Sequence, residues 1–324
     1  MEIIDRVYGR QEIRETVLIE LVRSRPLARL KGINQAGVSK YLNLRKDVTR
    51  FEHSVGVMLL LRKFQASIVE QIAGLLHDVP HTAFSHVADF VHINEHHEFH
   101  ELFHEQVIAA SEIPQILKKH GIPELVIHPE KFSLLEQKIP DLCADRIDYA
   151  LRDFMAERED HESIQAKLSG LVVYQGQFMF KDQVSAEAFA RDYLELDRTS
   201  WSDPKEIAAY LLFAQAVRHA LDRQILTNAD LFTDDQTVWN KLKAAGDAFV
   251  HKKLAFLTPS FRIEPASPKH YHLYVKSKIR YVDPLVLVNN SPQRLSEIAP
   301  KFKHQLAQHR KSAAQGVYVF VYPE

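Results

Sequence analysis

The chain has 324 residues, 46% of them hydrophobic and 26% charged, with a formal net charge of −1. These totals are those of a globular protein with material for a sizeable core. They exclude a chain built to coat nucleic acid or an anionic membrane. One cysteine, Cys143, excludes an internal disulfide framework and points to a reducing, cytoplasmic setting. The N-terminal MEIIDRVYGRQEIRE lacks a signal-peptide pattern, and apolar runs such as residues 57–61 are too short to span a bilayer.

In chain order, residues 11–31 and 51–158 read as helical. Within 68–79, Ile68, Ile72, Leu75, Leu76 and Val79 keep helical spacing. Pro80 should end that helix, because the residue before proline avoids the α region. Thr82 is placed to cap a helix over about 83–91. Between 140 and 158, Cys143, Ile147, Ala150, Leu151 and Phe154 form an apolar stripe. Asp141, Asp145, Asp148, Tyr149 and Arg152 form a polar stripe two residues out of phase, and Pro140 suits the helix start. LVVYQGQFMF (171–180) reads as a β-hairpin turning at Gln175-Gly176. Helices are expected at about 185–197, 204–228 and 236–254. From 261 the chain is β-rich, with a helical stretch at SPQRLSEIAPKFKHQL and a final strand at GVYVFVY. The expected organisation is a mainly α body over 1–230, with a small β-hairpin insertion, and a C-terminal α+β appendage over 231–324.

The histidines are unevenly spread: eight of the 18 fall between 77 and 104. His77 and Asp78 stand side by side in an otherwise apolar segment, GLLHDVPHTAFSH (74–86). A hydrogen-bonded core histidine is the plain reading of His77. Asp78 weakens it, since an unpaired buried carboxylate is costly and a cation is its natural companion. Adjacent His and Asp at a helix end can both reach one ion, and Gly74, one turn earlier, leaves space beside them. His53, at the head of an apolar helix, and Asp145, on the polar stripe, can complete a set of imidazole and carboxylate ligands.

RFEHSVGV (50–57), HDVPHTAFSH (77–86) and DRIDYALRD (145–153) together resemble the HD-domain phosphohydrolases. The likeness is to the branch containing bacterial deoxyguanosine triphosphatases and the mammalian HD-domain dNTP triphosphohydrolase. RPLARLKGINQAG (25–37) and, more weakly, KIRYVDPLV (278–286) are similar to segments of that branch. The resemblance implies an HD-domain helical body holding one divalent ion (Mn, Fe, Zn, Ni or Mg) on His53, His77, Asp78 and Asp145. It implies hydrolysis of a phosphate ester or anhydride, most simply of a nucleotide, by a metal-activated water. Arg50 would contact phosphate, Tyr149 and Asp153 would line the substrate pocket, and Gln35 would lie near the sugar. His81, His86 and Asp89 would form a polar network beside the metal, with His81 or His86 as general acid. His100-Glu101 would border the active site, with His97-Glu98 and His104-Glu105 as alternatives. Val79-Pro80, Thr82-Ala83 and Ala36 depart from the branch's usual residues, which bears on the substrate more than on the metal.

Two rival readings remain. HELFH (100–104) is an HExxH, the zinc-protease helix signature, but no glycine-spaced histidine follows it, and Glu124, at a conceivable distance for a third ligand, directly follows Pro123. A nucleotide-sensing protein that keeps the HD pocket with little turnover is the alternative in another class. The expected partner is a small phosphate compound, with no membrane and no general nucleic-acid binding; a homo-oligomer is compatible. His219 and Arg223 are further candidates for touching phosphate, Cys143 is expected in the core, and Trp201 and Trp239 are expected to serve packing.

Overall fold

The structure, a computed structural model, describes residues 1–44, 47–91 and 103–323. It is mainly helical, with small sheets and a C-terminal α+β region, as the sequence implies. The central helix is Arg50–Lys63. Thr49 and Glu52 close it with a reciprocal capping box, and its residues from His53 to Leu61 are all buried. A helix buried on every face belongs at the centre of a core.

Two helices pack on it and carry the remaining site residues: Ile68–Leu76, capped by Ser67, and Ala144–Arg158. The approach of Ala144–Arg158 depends on Gly56, where a Cβ would collide with the Arg152 guanidinium and the Asp148 carboxylate. Gly74 has a different use from the one expected. Its missing Cβ makes room for Leu61 and Val57, while its carbonyl accepts a hydrogen bond from His77. The glycine therefore serves helix packing and the histidine's orientation rather than space beside the ion.

Several boundaries differ from the sequence reading. The N-terminus forms an antiparallel hairpin, Glu2–Asp5 with Gly9–Glu12, before the helices Thr16–Arg23 and Arg25–Arg29. The stretch after Pro80 is a turn in which Phe84 and Ser85 adopt positive φ, so the expected 83–91 helix is only Val87–Val91. Thr82 makes no N-cap there; its hydroxyl reaches the Ser85 carbonyl at 3.4 Å. Residues 120–143 are turns and short 3-10 segments, and the last helix of the 51–158 block starts at Ala144 rather than at Pro140. Cys143 is buried, as expected.

The hairpin Leu171–Tyr174 and Gln177–Phe180 forms as read, with positive φ at Gln175 and Gly176. A second hairpin, Leu285–Val288 with Ser291–Arg294, extends this sheet through a parallel pair at Phe180 and Val286. Val317–Tyr322 lies between Arg262–Pro265 and Leu273–Val275 in a separate three-stranded sheet. Residues on both sides of position 230 enter each core cluster. Val282, Val286, Leu295, Phe302 and Leu306 join the one around Arg50–Lys63. Val275, Val319 and Val321 join the one around the helix Pro204–Asp222. Among the described residues, no helix is long and apolar enough to cross a membrane.

Candidate metal centre

Three helices bring His53, His77, Asp78 and Asp145 to one point. His53 projects from the first turn of Arg50–Lys63. His77 and Asp78 follow the last turn of Ile68–Leu76, and Asp145 lies in the first turn of Ala144–Arg158. One ligand atom each of His53, His77 and Asp78 lies within 4.8 Å of the others. His53 Nε2 is 2.9 Å from Asp145 Oδ1 and 3.8 Å from Asp78 Oδ2. His77 Nε2 is 3.5 Å from both Asp78 Oδ1 and Asp145 Oδ1.

The imidazoles are oriented from behind. His77 Nδ1 donates to the Gly74 carbonyl at 2.7 Å, and its buried Nε2 has no hydrogen-bond partner among the described residues. A carbonyl only accepts, so the neutral ring keeps its proton on Nδ1 and turns an Nε2 lone pair toward two carboxylates. Such an arrangement asks for a cation. His53 is set the same way, with Nδ1 2.8 Å from Asp148 Oδ2 and Nε2 facing the ligand cluster. This is the histidine–carboxylate support found behind metal ligands.

Asp148 is fully buried, and Arg152 Nε donates to it at 2.9 Å. Arg152 Nη2 also reaches Asp5 at 3.0 Å, and the Tyr8 hydroxyl donates to Asp148 at 2.7 Å. The expected polar stripe is therefore split. Asp145 opens toward the site, whereas Asp148 and Arg152 form a buried brace closed by the N-terminal hairpin.

The two carboxylates fit a cation as well, whereas the imidazoles must shed a proton to join them. Burial opposes ionisation of Asp78, but Arg50, His81 and His77 outweigh it and hold the carboxyl well below its usual range. Asp145 is likewise lowered, burial being overcome by His53 and His77. Burial also opposes protonation of His53, yet hydrogen bonds to Asp145 and Asp148 raise it to about 10. His77 is raised against the same burial penalty, chiefly by Asp78 and Asp145. Two imidazoles and two carboxylates in this arrangement can hold a divalent ion.

The neighbouring groups divide into those brought to the site and those occupied elsewhere. Arg50 is buried; its Nη1 donates to Asp78 Oδ2 at 2.9 Å and its Nε to Ser85 Oγ at 3.0 Å. His81 Nε2 is 3.1 Å from Asp78 Oδ1, and the His81 ring meets His86 edge-on at 5.3 Å. His86 Nδ1 is 3.0 Å from Asp89 Oδ2. Burial, Arg50 and Arg280 together lower the His86 pKa against the pull of Asp89.

The Tyr149 ring stands edge-on to Trp201 at 5.1 Å, and its hydroxyl meets that of Tyr193. Asp153 is buried and accepts a hydrogen bond from Trp201 Nε1 at 2.7 Å. Trp201 comes from a π-helical turn, Asp197–Trp201, that the sequence reading left as packing. Gln35 Oε1 is buried without a hydrogen-bond partner among the described residues. His100 and Glu101 lie outside the described residues. His104 is near enough for the charges of His77 and Asp78 to act on it, and burial above all lowers it to about 4. His219 binds Asp247 at 3.1 Å and stacks on Phe249, while Arg223 is exposed, so this pair has other uses.

Residues 50–153 match the HD domain family. Over nearly its full length the chain is 31% identical to metal-dependent phosphohydrolase cns2 of Cordyceps militaris, covering 96% of this chain and 92% of that one. The chain belongs to the HD-domain phosphohydrolases. This is a metal-dependent family, and the cluster above can hold the metal. The HD-domain chain is also 40% identical to the uncharacterised protein YdhJ of Bacillus subtilis, covering 98% of both. A shorter match, 27% identical and covering 46% of this chain and 35% of the relative, is to a deoxynucleoside triphosphate triphosphohydrolase SAMHD1 homolog of Dictyostelium discoideum. A phosphohydrolase structure from Bacteroides thetaiotaomicron shares the fold, with a TM-score of 0.74, 18% identity and 100% coverage of both chains.

Proposed function

We propose that this HD-domain protein hydrolyses a phosphate ester or anhydride of a nucleotide, with His53, His77, Asp78 and Asp145 as ligands of one divalent ion. The observation that carries the reading is the His77 Nε2 lone pair turned toward Asp78 and Asp145, without a hydrogen-bond partner among the described residues, with Arg50 beside them. Nucleotide as the substrate class is supported by the motifs that resemble the dNTP triphosphohydrolase branch and by the shorter match to the Dictyostelium relative.

When bound, the ion would polarise the phosphoryl group and acidify the attacking water. The chain's own groups do the rest. Arg50 is fixed by Asp78 and Ser85, so its guanidinium meets the phosphate without reorganising. His86, steadied by Asp89, is kept neutral in the free protein by burial and by two nearby guanidinium groups. An anionic phosphate beside it offsets those positive charges, so His86 takes up a proton as substrate binds and delivers it to the leaving oxygen. His81 holds Asp78 on the side facing His86. Tyr149, Asp153 and Trp201 form the wall against which the organic part of the substrate rests, with Gln35 offering a carbonyl that has no hydrogen-bond partner among the described residues.

The test is turnover of a panel of nucleoside mono-, di- and triphosphates with Mn²⁺. Hydrolysis of at least one nucleotide that is lost in Asp78→Ala supports the reading. An intact, metal-loaded protein that hydrolyses none of them contradicts it.

A further inference from the structure

We propose that the outer face of the C-terminal three-stranded sheet is a binding surface for single-stranded nucleic acid. It is built from residues that take no part in the metal centre, so it stands apart from the phosphohydrolase reading.

The sheet of Arg262–Pro265, Val317–Tyr322 and Leu273–Val275 has two unlike faces. Val275, Val319 and Val321 are buried in the core around Pro204–Asp222. Alternation along the strand turns Tyr318, Phe320 and Tyr322 to the other side, where Tyr274 stands directly opposite Tyr318. A sheet face turned to water is ordinarily polar. This one is aromatic.

Tyr271 and Tyr274 are 43% and 44% exposed. Their ring centres lie 4.7 and 4.8 Å from that of Tyr318. His270 and His272 meet the Phe320 ring edge-on, at 5.0 and 5.1 Å. Gly316 makes room for this surface, since a Cβ there would collide with the Tyr274 ring. Rings set at a surface by a glycine and by one another do not serve the core. An exposed apolar patch of this kind marks an interaction site.

Charge selects the partner. The balanced total of the chain hides a division: residues 262–324 hold ten lysines and arginines against four aspartates and glutamates, a net charge of +6, whereas residues 1–261 carry −7. The Arg262 guanidinium sits 5.0 Å over the Tyr322 ring. Lys269 and Lys276 are exposed on either side of Leu273–Val275. Glu264, on the same face, is held by Arg262 Nη1 at 3.2 Å. A basic surface attracts a polyanion and repels a second copy of itself. Aromatic side chains reach a base only when it is unstacked from its neighbours, so the polyanion is a single strand. Stacking reads the face of the base rather than the sugar, so RNA and DNA strands are one ligand class here.

The experiment is fluorescence anisotropy of a labelled oligoadenylate of about ten nucleotides, without terminal phosphates, titrated with the full chain. Tyr271→Ala and Tyr274→Ala should each weaken binding by about 10-fold, while Tyr274→Phe stays within about 2-fold, because stacking needs the ring and not the hydroxyl. Lys276→Gln should weaken binding and flatten its dependence on salt. Asp145→Ala, which alters only the metal centre, should bind as wild type does. Melting temperatures of the tyrosine variants should match wild type, since both rings are exposed.

A wild type that fails to bind at about 100 μM protein in low salt overturns the proposal. So does equal affinity in wild type and both alanine variants. Loss of binding in Asp145→Ala with retention in the tyrosine variants would move the strand to the metal centre, against the proposal. A dimer that both alanine variants dissolve, in a protein that binds no oligonucleotide, would assign the face to a second copy instead.

Discussion

Tyr8 donates its hydroxyl to Asp148 at 2.7 Å, and the other oxygen of Asp148 meets His53 at 2.8 Å. A residue of the N-terminal hairpin is thereby two contacts from the metal centre. Burial, reinforced by Asp148, holds the Tyr8 hydroxyl well above its ordinary pKa, so it remains a donor. Removing that donor frees Asp148 to turn and loosens His53. Tyr8→Phe should therefore lower metal affinity by about 10-fold, the lower end for groups behind the ligands. Competition against a chelator of known affinity measures it; an unchanged affinity would remove Tyr8 from the support of the site.

Arg50→Lys should reduce kcat on phosphate esters by about 10²-fold. Arg50 contacts Asp78 and Ser85 through two different nitrogens of one planar group. An ammonium keeps the charge but cannot hold both partners and face a phosphate in the same plane. Steady-state kinetics decide the matter: unchanged kcat and KM would make Arg50 a structural residue.

Metal binding should release protons. In the metal-free protein His53 is raised to about 10 and His77 is raised from its ordinary value, so at neutral pH His53 carries a proton that a metal ligand must give up. A raised pKa means that the proton is held at neutral pH and lost only as pH climbs, so metal affinity should increase from pH 6 to 9. Calorimetry in two buffers of different ionisation enthalpy reads the released protons. Metal binding with no buffer dependence and no pH dependence would show that the imidazoles are already neutral.

Much of this site was legible in the sequence because its parts are local. His77-Asp78 after an apolar helix, His53 just inside a helix start and Asp145 on a stripe of period 3.6 each reflect their own element. The four then converge because three apolar faces must pack together. What was not legible depends on contacts between distant segments. The sequence shows Asp148 and Arg152 at positions that look solvent-facing, and only the hairpin bearing Asp5 and Tyr8 buries them. That hairpin was not anticipated, and its last two residues fell in the helix expected from 11, since its alternation is short and half exposed. Trp201 was set aside as packing, although a π-helical turn aims its indole at Asp153. Phe84 and Ser85 adopt positive φ despite being neither glycine nor asparagine, which shortened the helix expected there.

Asp145→Ala should abolish turnover and leave the fold intact. Its side chain is 24% exposed, and its ion-pair partners among the described residues, His53 and His77, belong to the site. Its removal therefore opens no apolar cavity. Matching circular dichroism and melting curves, with activity lost, is the expected pair of results. Wild-type turnover would show that the carboxylate is not needed by the ion.

The bound metal in purified wild type, His53→Ala and His104→Ala tests the central claim most directly. Among the described residues the geometry groups His53 with His77 and Asp78 and leaves His104 outside that group, although His104 ends the HELFH run. Wild type purified without chelator should hold close to one equivalent, His104→Ala should retain it and His53→Ala should lose it. Retention in His53→Ala together with loss in His104→Ala would move the ion to the other motif and contradict the account.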